Sequence, residues 1–145
     1  MGITIREAGA QDAPAIVQLI GELAGGDDRS PVTEAYVETY LASIRSRILL
    51  AELEGCVVGL LSYSVRPDLY HAADACLIEE LVVHQGVRRQ GVGGALLTEV
   101  LARLAALGCA EVSVAALPDN TKAIRLYRAH GLTEEAVFLE KHFGT

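Results

Sequence analysis

Three glycines close together, two arginines and a run of apolar residues before them form the stretch of this chain best suited to chemistry. The stretch is Glu79-Glu80-Leu81-Val82-Val83-His84-Gln85-Gly86-Val87-Arg88-Arg89-Gln90-Gly91-Val92-Gly93-Gly94-Ala95. It reads as a strand, a turn with glycines at 91, 93 and 94, and the start of a helix. Such a turn lets backbone N–H groups converge on an anion, because glycine tolerates the dihedrals and has no side chain in the way. The helix start adds unpaired N–H groups and its dipole, and Arg88 and Arg89 supply charge suited to a phosphate. Two familiar nucleotide motifs fail here. A P-loop needs Gly-Lys-Ser/Thr at its end. A dinucleotide fingerprint needs a third glycine where Leu96 stands, and Glu111, 20 residues after Gly91, begins its strand instead of ending it.

The elements that must position this turn follow from periodicity. Residues 3–7 alternate as a first strand. Asp12 and Pro14 open a helix whose Ile16, Leu19, Ile20 and Leu23 share a face. A loop of Gly25, Gly26, Asp27, Asp28, Arg29, Ser30 and Pro31 precedes a second helix over 33–43, with Tyr36, Val37, Tyr40 and Leu41 on one side. Strands over 48–52 and 56–65 join through a tight turn at Glu54-Gly55, and Arg66-Pro67-Asp68 ends the second. A strand over 75–83 enters the glycine turn. The helix after it carries Leu97, Val100, Leu101 and Leu104 to Leu107 and stops at Gly108. A strand over 111–117, a helix from Asn120 to about His130 and a last strand over 137–141 complete the pattern. The expectation is one α/β domain over 1–145, with about six strands and four helices.

Composition bounds the function. The 145 residues are 51% hydrophobic and 21% charged, within the range of soluble globular domains. The formal charge of −7 argues against nucleic acid as a partner, because binding to phosphate backbones needs a basic footprint. No stretch approaches the roughly 20 apolar residues that span a bilayer, so no membrane partner is expected. Cys56, Cys76 and Cys109 are odd in number, lack metal-like spacing and have apolar or small neighbours. They read as buried small hydrophobes in a reducing, cytoplasmic protein, with no metal.

A second pattern joins the glycine turn: Asn120-Thr121-Lys122-Ala123-Ile124-Arg125-Leu126-Tyr127-Arg128-Ala129-His130-Gly131-Leu132. Together with Arg88-Arg89-Gln90-Gly91-Val92-Gly93, it resembles the two signature motifs of the GNAT superfamily, the acetyl-CoA-dependent N-acetyltransferases. The likeness extends from Ile3 to Lys141, and the strand Ile78-Glu79-Glu80-Leu81-Val82-Val83 looks most like the small-amine members. Leu132 stands where the family prefers Phe. The tail after Gly131 is short and holds one strand where many members have two. The resemblance implies a mixed, mostly antiparallel twisted sheet with helices on both faces, and it leaves open a homodimer built on the far sheet edge.

It also implies roles. Backbone groups of Leu81 and Val83 would pair with the pantetheine arm of acetyl-CoA, and an N–H near Val82 would polarise the thioester carbonyl. Arg88, Arg89, Gln90, Gly91, Val92, Gly93 and Gly94 would hold the pyrophosphate. Asn120 would cap its helix and reach the pantetheine. A protonated alkylamine, with a pKa near about 10, must lose a proton before it attacks. Glu79 is the preferred base, placed nine residues before Arg88 as in the small-amine members; Glu80 points to the opposite face, since strand side chains alternate, and one of the two faces the substrate, which leaves Glu80 as the other choice. His71 and His84 are alternatives. Tyr127 would protonate the departing thiolate. Cys76 offers a covalent route, but no activating neighbour is identifiable. The acceptor side would draw on the acids Asp27, Asp28, Glu34, Glu38, Asp68 and Asp74, with Tyr63, Tyr70 and His71, which suits a small cationic amine. Protein lysine or N-terminal acetylation, and a non-catalytic acyl-CoA-binding module, are the competing functions.

Overall fold

Alternating side chains build the sheet from the N-terminus onward. The computed structural model describes residues 2–23 and 30–144. In chain order, β1 (Ile3–Glu7) is followed by α1 (Ala13–Leu23), α2 (Glu34–Ala42), β2 (Ser46–Leu53), β3 (Cys56–Asp68) and β4 (Ala73–Val83). Then come α3 (Val92–Leu107), β5 (Glu111–Val114) and α4 (Thr121–Ala129). The strands lie in the order β1-β2-β3-β4-β5, antiparallel except for the parallel β4–β5 pair. The loop residues Gly25, Gly26, Asp27, Asp28 and Arg29 fall outside the described residues.

Period-two alternation gives the sheet two apolar faces. Leu49, Ala51 and Leu61 pack on one side with Val92, Leu96, Leu97 and Val100 of α3. Ile48, Leu50, Leu60 and Val82 pack on the other with Ile16 and Leu19 of α1 and Val37 of α2. Helices on both faces therefore follow from strands apolar on both sides. Arg6 clamps the entry to α1, holding both oxygens of Asp12 at 2.8 Å and Glu52 at 2.6 Å. Among the described residues, no helix is long and apolar enough to cross a membrane.

Several boundaries differ from the sequence reading for identifiable reasons. Leu53 faces Cys56, so Glu54 and Gly55, at φ 52° and 81°, make the expected two-residue turn of type I′ character. Pro67 does not end β3. Beyond Val65, β3 pairs only with β4, and its other side is an edge where the missing N–H costs no ladder bond. The strand expected over 137–141 does not form, leaving five strands among the described residues. Val137, Phe138 and Leu139 stay 85%, 58% and 88% exposed: an unpaired apolar run without alternation has no face to bury. Cys56 is exposed and Cys109 half-buried, so only Cys76 is the buried hydrophobe expected of all three.

One glycine in the sheet is required by packing. A methyl on Gly59 would stand 2.8 Å from Val92 Cγ1, 3.3 Å from Leu96 Cδ1 and 3.4 Å from Ala51 Cβ, all on buried residues. Gly59→Ala is expected to push α3 off the sheet and lower stability by about 1–3 kcal/mol. The check is a lower denaturant midpoint at unchanged slope.

Candidate active site

Strand β4 is paired on both sides for only part of its length. Against β5 it pairs from Ala75 to Ile78, and β5 ends opposite that point at Val114. Against β3 it continues to Val83. Past Ile78, no strand among the described residues covers the β5-side edge of β4. The hydrogen-bond pattern shows which groups face the gap. Glu80 N–H donates toward β3, to Ser62 Oγ at 3.0 Å, and His84 N–H donates to the Val58 carbonyl at 2.8 Å. With the alternation of an antiparallel ladder, Val82 also points to β3, and the N–H and C=O groups of Leu81 and Val83 point into the open edge. The Val83 carbonyl accepts from Arg88 Nε at 3.2 Å.

The edge runs directly into the glycine turn. Arg89 and Gly91 both take left-handed conformations, φ 72° and 83°, and Gly91 is the residue before α3. No side chain among the described residues caps that helix, and its first backbone bond is Ala95 N–H to the Gly91 carbonyl. The N–H groups of Val92, Gly93 and Gly94 are therefore left for an acceptor from outside. Left-handed Arg89 is costly for a side chain with a Cβ, a strain typical of ligand clamps. Gly93 serves packing as well: a methyl there would meet Leu126 Cδ2 of α4 at 3.3 Å, so its lack of a side chain lets α4 approach. Glu22 of α1 fixes the turn from the other face, reaching His84 Nδ1 at 2.7 Å and Gln85 N–H at 3.1 Å.

α4 brings the second motif to this end of the sheet. Asn120 Oδ1 accepts from Ala123 N–H at 3.3 Å and caps the helix, as its residue type predicts. Tyr127 is half-buried against the core beneath α3, and burial pushes its phenol above the usual value. It keeps its proton at neutral pH.

The two glutamates differ from their expected arrangement. The β3–β4 register slips between Ser62 and Tyr63: Ser62 faces Glu80 while Tyr63 faces Ile78, so Glu79 is the extra residue of a bulge. Cys76 and Ile78 pack on the α3 face, and so do Leu81 and Val83, which strict alternation forbids. The bulge changes the parity, so the expectation that Glu80 points away on alternation grounds does not hold. Glu80 lines a pocket between α1, α2 and the sheet, with Ser62 hydrogen-bonded to its carboxylate, while Glu79 is exposed. Burial pushes the Glu80 carboxyl above the usual range; the Ser62 bond opposes this and the Glu79 charge adds to it.

Tyr40 and Ser62 complete the pocket, and neither was picked out as a site residue from the sequence. Burial, with smaller contributions from the Glu79 and Glu80 charges, pushes the Tyr40 phenol up to about 12. Ser62 and Ser46 lie close enough to oppose that shift, yet the hydroxyl makes no well-formed hydrogen bond among the described residues. The faces of Tyr40 and Ser62 could be read from periodicity, but not their meeting across the fold.

The remaining candidates lie elsewhere. His71 pairs with Asp68 at the tip of the β3–β4 hairpin, six strand residues or about 20 Å from Glu79. Cys76 is buried, and burial pushes its thiol up to about 12, the reverse of an activated nucleophile.

Residues 17–132 match the model of the acetyltransferase (GNAT) family. No curated protein matches the sequence. The fold is similar to that of a transcriptional regulator from Bacillus halodurans C-125, with a TM-score of 0.88 and 25% identity over 98% of this chain and 100% of that one. It is also similar to the aminoglycoside acetyltransferase meta-AAC0020 from an uncultured soil metagenomic sample, in complex with sisomicin. There the TM-score is 0.84 at 23% identity, over 99% and 96% of the two chains. A third is AAC(6')-Iy in complex with the bisubstrate analog CoA-S-monomethyl-acetylneamine, with a TM-score of 0.80 and 22% identity over 98% and 99%. With the family match spanning most of its length and both motifs flanking the open edge of β4, this chain belongs to the acetyltransferase (GNAT) family.

Proposed function

We propose that the chain transfers an acetyl group from acetyl-CoA directly to the primary amine of a small cationic molecule. The observation that carries this reading is the continuity of the unpaired β4 edge with the N–H-rich start of α3. An extended amide arm and a pyrophosphate need those two features in that order. Leu81 and Val83 offer their backbone groups to the arm as a neighbouring strand would, and these are the outward N–H groups that flank Val82. The backbone N–H groups of Arg89, Gln90, Gly91, Val92, Gly93 and Gly94, with the Arg88 charge, suit the pyrophosphate. Asn120 stands at the start of α4, where its amide oxygen caps the helix and its amide nitrogen suits an acceptor on the arm.

Acetyl-CoA supplies an acetyl carbon activated as a thioester. An N–H beside Val82 steadies the charge that develops on the carbonyl oxygen. Glu79, exposed at the bulge, takes the proton from the ammonium through water and returns it to solvent. Tyr127 donates its proton to the sulfur as the nitrogen–carbon bond forms and the carbon–sulfur bond breaks; the acetylated nitrogen gives up its second proton to water, Tyr127 is reprotonated from solvent, and one proton is released per turnover.

Initial rates with acetyl-CoA and a panel of primary amines, followed by release of the CoA thiol, test this. Intersecting double-reciprocal lines are expected for direct transfer within one ternary complex. Parallel lines, or acetylated Cys76 trapped by mass spectrometry, would overturn the direct route. Absence of turnover with every amine and peptide would overturn the enzyme.

A further inference from the structure

The pocket against Glu80 has a chemistry of its own. Resting on the acetyl-transfer reading, we propose that it selects a compact primary monoamine with an apolar body, such as a branched-alkylamine or an arylmethylamine, over polyhydroxylated or multiply charged amines.

Size comes first. The pocket holds about 170 Å³. A cavity of roughly 150 Å³ accommodates benzene, whereas drug-sized ligands occupy about 300–1,000 Å³. One ring or one branched chain with its amine fills the space, so a multi-ring sugar would leave all but one of its rings outside it.

The lining is the second observation. Among the described residues, Ile16, Ile20, Val37, Ile48 and Leu60 form an apolar wall from both helices and the sheet. A hydroxyl or a second ammonium set against that wall would lose its water without a partner, at a cost that grows steeply for a charge. A hydrocarbon body gains from the same burial.

Among the described residues Glu80 is the one charged group of the lining, which also includes Ser30, Tyr36, Tyr40 and Ser62. Ser62 and Glu80 face each other across β3 and β4 and are hydrogen-bonded, and Tyr40 lies within the influence of both glutamate charges. The Tyr40 hydroxyl is buried with no hydrogen-bond partner among the described residues. Buried polar atoms are almost always paired, so a phenol oxygen beside a carboxylate, with Ser62 and Ser46 near but neither making a well-formed bond to it among the described residues, leaves room for a ligand donor. A single ammonium supplies one N–H to Glu80 and one to Tyr40, and its third N–H is left for the water that leads to Glu79. One acid and one phenol oxygen match one cationic head.

The test uses the full chain with benzylamine, 3-methylbutylamine, methylamine, putrescine and sisomicin, measuring calorimetric binding and CoA release separately. Benzylamine or 3-methylbutylamine should exceed putrescine and sisomicin at least tenfold in kcat/KM. Ile20→Trp, which fills the pocket, should lower the benzylamine-to-methylamine ratio of kcat/KM at least tenfold. Tyr40→Phe keeps the ring, so it should fold normally and weaken benzylamine binding about tenfold, as loss of a hydrogen bond to a charged group does. Putrescine or sisomicin turned over in preference to both apolar amines would overturn the pocket assignment and leave acetyl transfer intact. An unchanged ratio in Ile20→Trp, or unchanged affinity in Tyr40→Phe, would overturn it too. Benzylamine bound with these variant effects, but with no CoA release from any amine, would support the pocket and overturn acetyl transfer.

Discussion

Glu79→Gln is expected to lower turnover about 100-fold at pH 7, with a deficit that narrows as the pH is raised. An alkylammonium with a pKa near about 10 is only about one part in a thousand neutral at pH 7, so proton removal must be assisted. Gln has the shape and polarity of Glu but cannot accept the proton. A positioned base is typically worth about 10²–10⁴-fold. Glu79 stands exposed at a bulge, where water shares its work, so the low end applies. A 100-fold loss corresponds to about 2.7 kcal/mol of barrier. Solvent supplies neutral amine about tenfold faster for each pH unit up to the amine's own pKa, which is why the deficit closes. The pH profile of kcat/KM for the variant beside the parent is the measurement. A deficit constant with pH would make Glu79 a positioning residue. Full activity at pH 7 would pass the base role to another group, with Glu80 first in place.

The legible parts of this site are those whose residue type has a local physical reason. Gly91 takes a positive φ, and a glycine between an apolar strand and an amphipathic helix announces that need. Glu54-Gly55 declares its turn in the same way, and Asn120 its cap. The acid pair was legible as a pair, but its geometry was not, because no glycine or proline marks the bulge at Glu79. The trace it leaves is the spacing of Cys76, Ile78, Leu81 and Val83: two apolar pairs at period two, separated by the two glutamates. A parity change within one strand is readable once such spacing is taken seriously. Tyr40 needed tertiary contact to acquire meaning, since the helix periodicity that orients it says nothing of the strand it meets. The tail shows the converse failure. Val137, Phe138 and Leu139 have strong strand propensity, but propensity without a paired edge makes no strand.

Tyr127→Phe isolates the other end of the reaction. The ring remains, so the contact with the core beneath α3 and the fold should be retained. What disappears is one O–H, the donor to sulfur as the carbon–sulfur bond breaks. A thiol is a fair leaving group even without help, with an ordinary pKa near about 8.5. The loss should therefore fall at or below the low end of general acid catalysis, about 10–100-fold in kcat, or about 1.4–2.7 kcal/mol. The interaction arises only in the transition state, so kcat and kcat/KM should fall together while acetyl-CoA affinity stays within about twofold. The pH profile gives a second, independent readout. Burial raises the Tyr127 phenol above its ordinary value near about 10, and an acid works only while protonated. The parent should therefore hold its rate through neutral and mildly alkaline pH and lose it only where the raised phenol titrates, and the Phe variant should lack that alkaline fall. Calorimetry of acetyl-CoA separates this from a packing defect, which would weaken binding and lower the thermal midpoint as well. Full turnover in the Phe variant, measured where chemistry limits the rate, would make Tyr127 a core residue and leave solvent to protonate the thiolate.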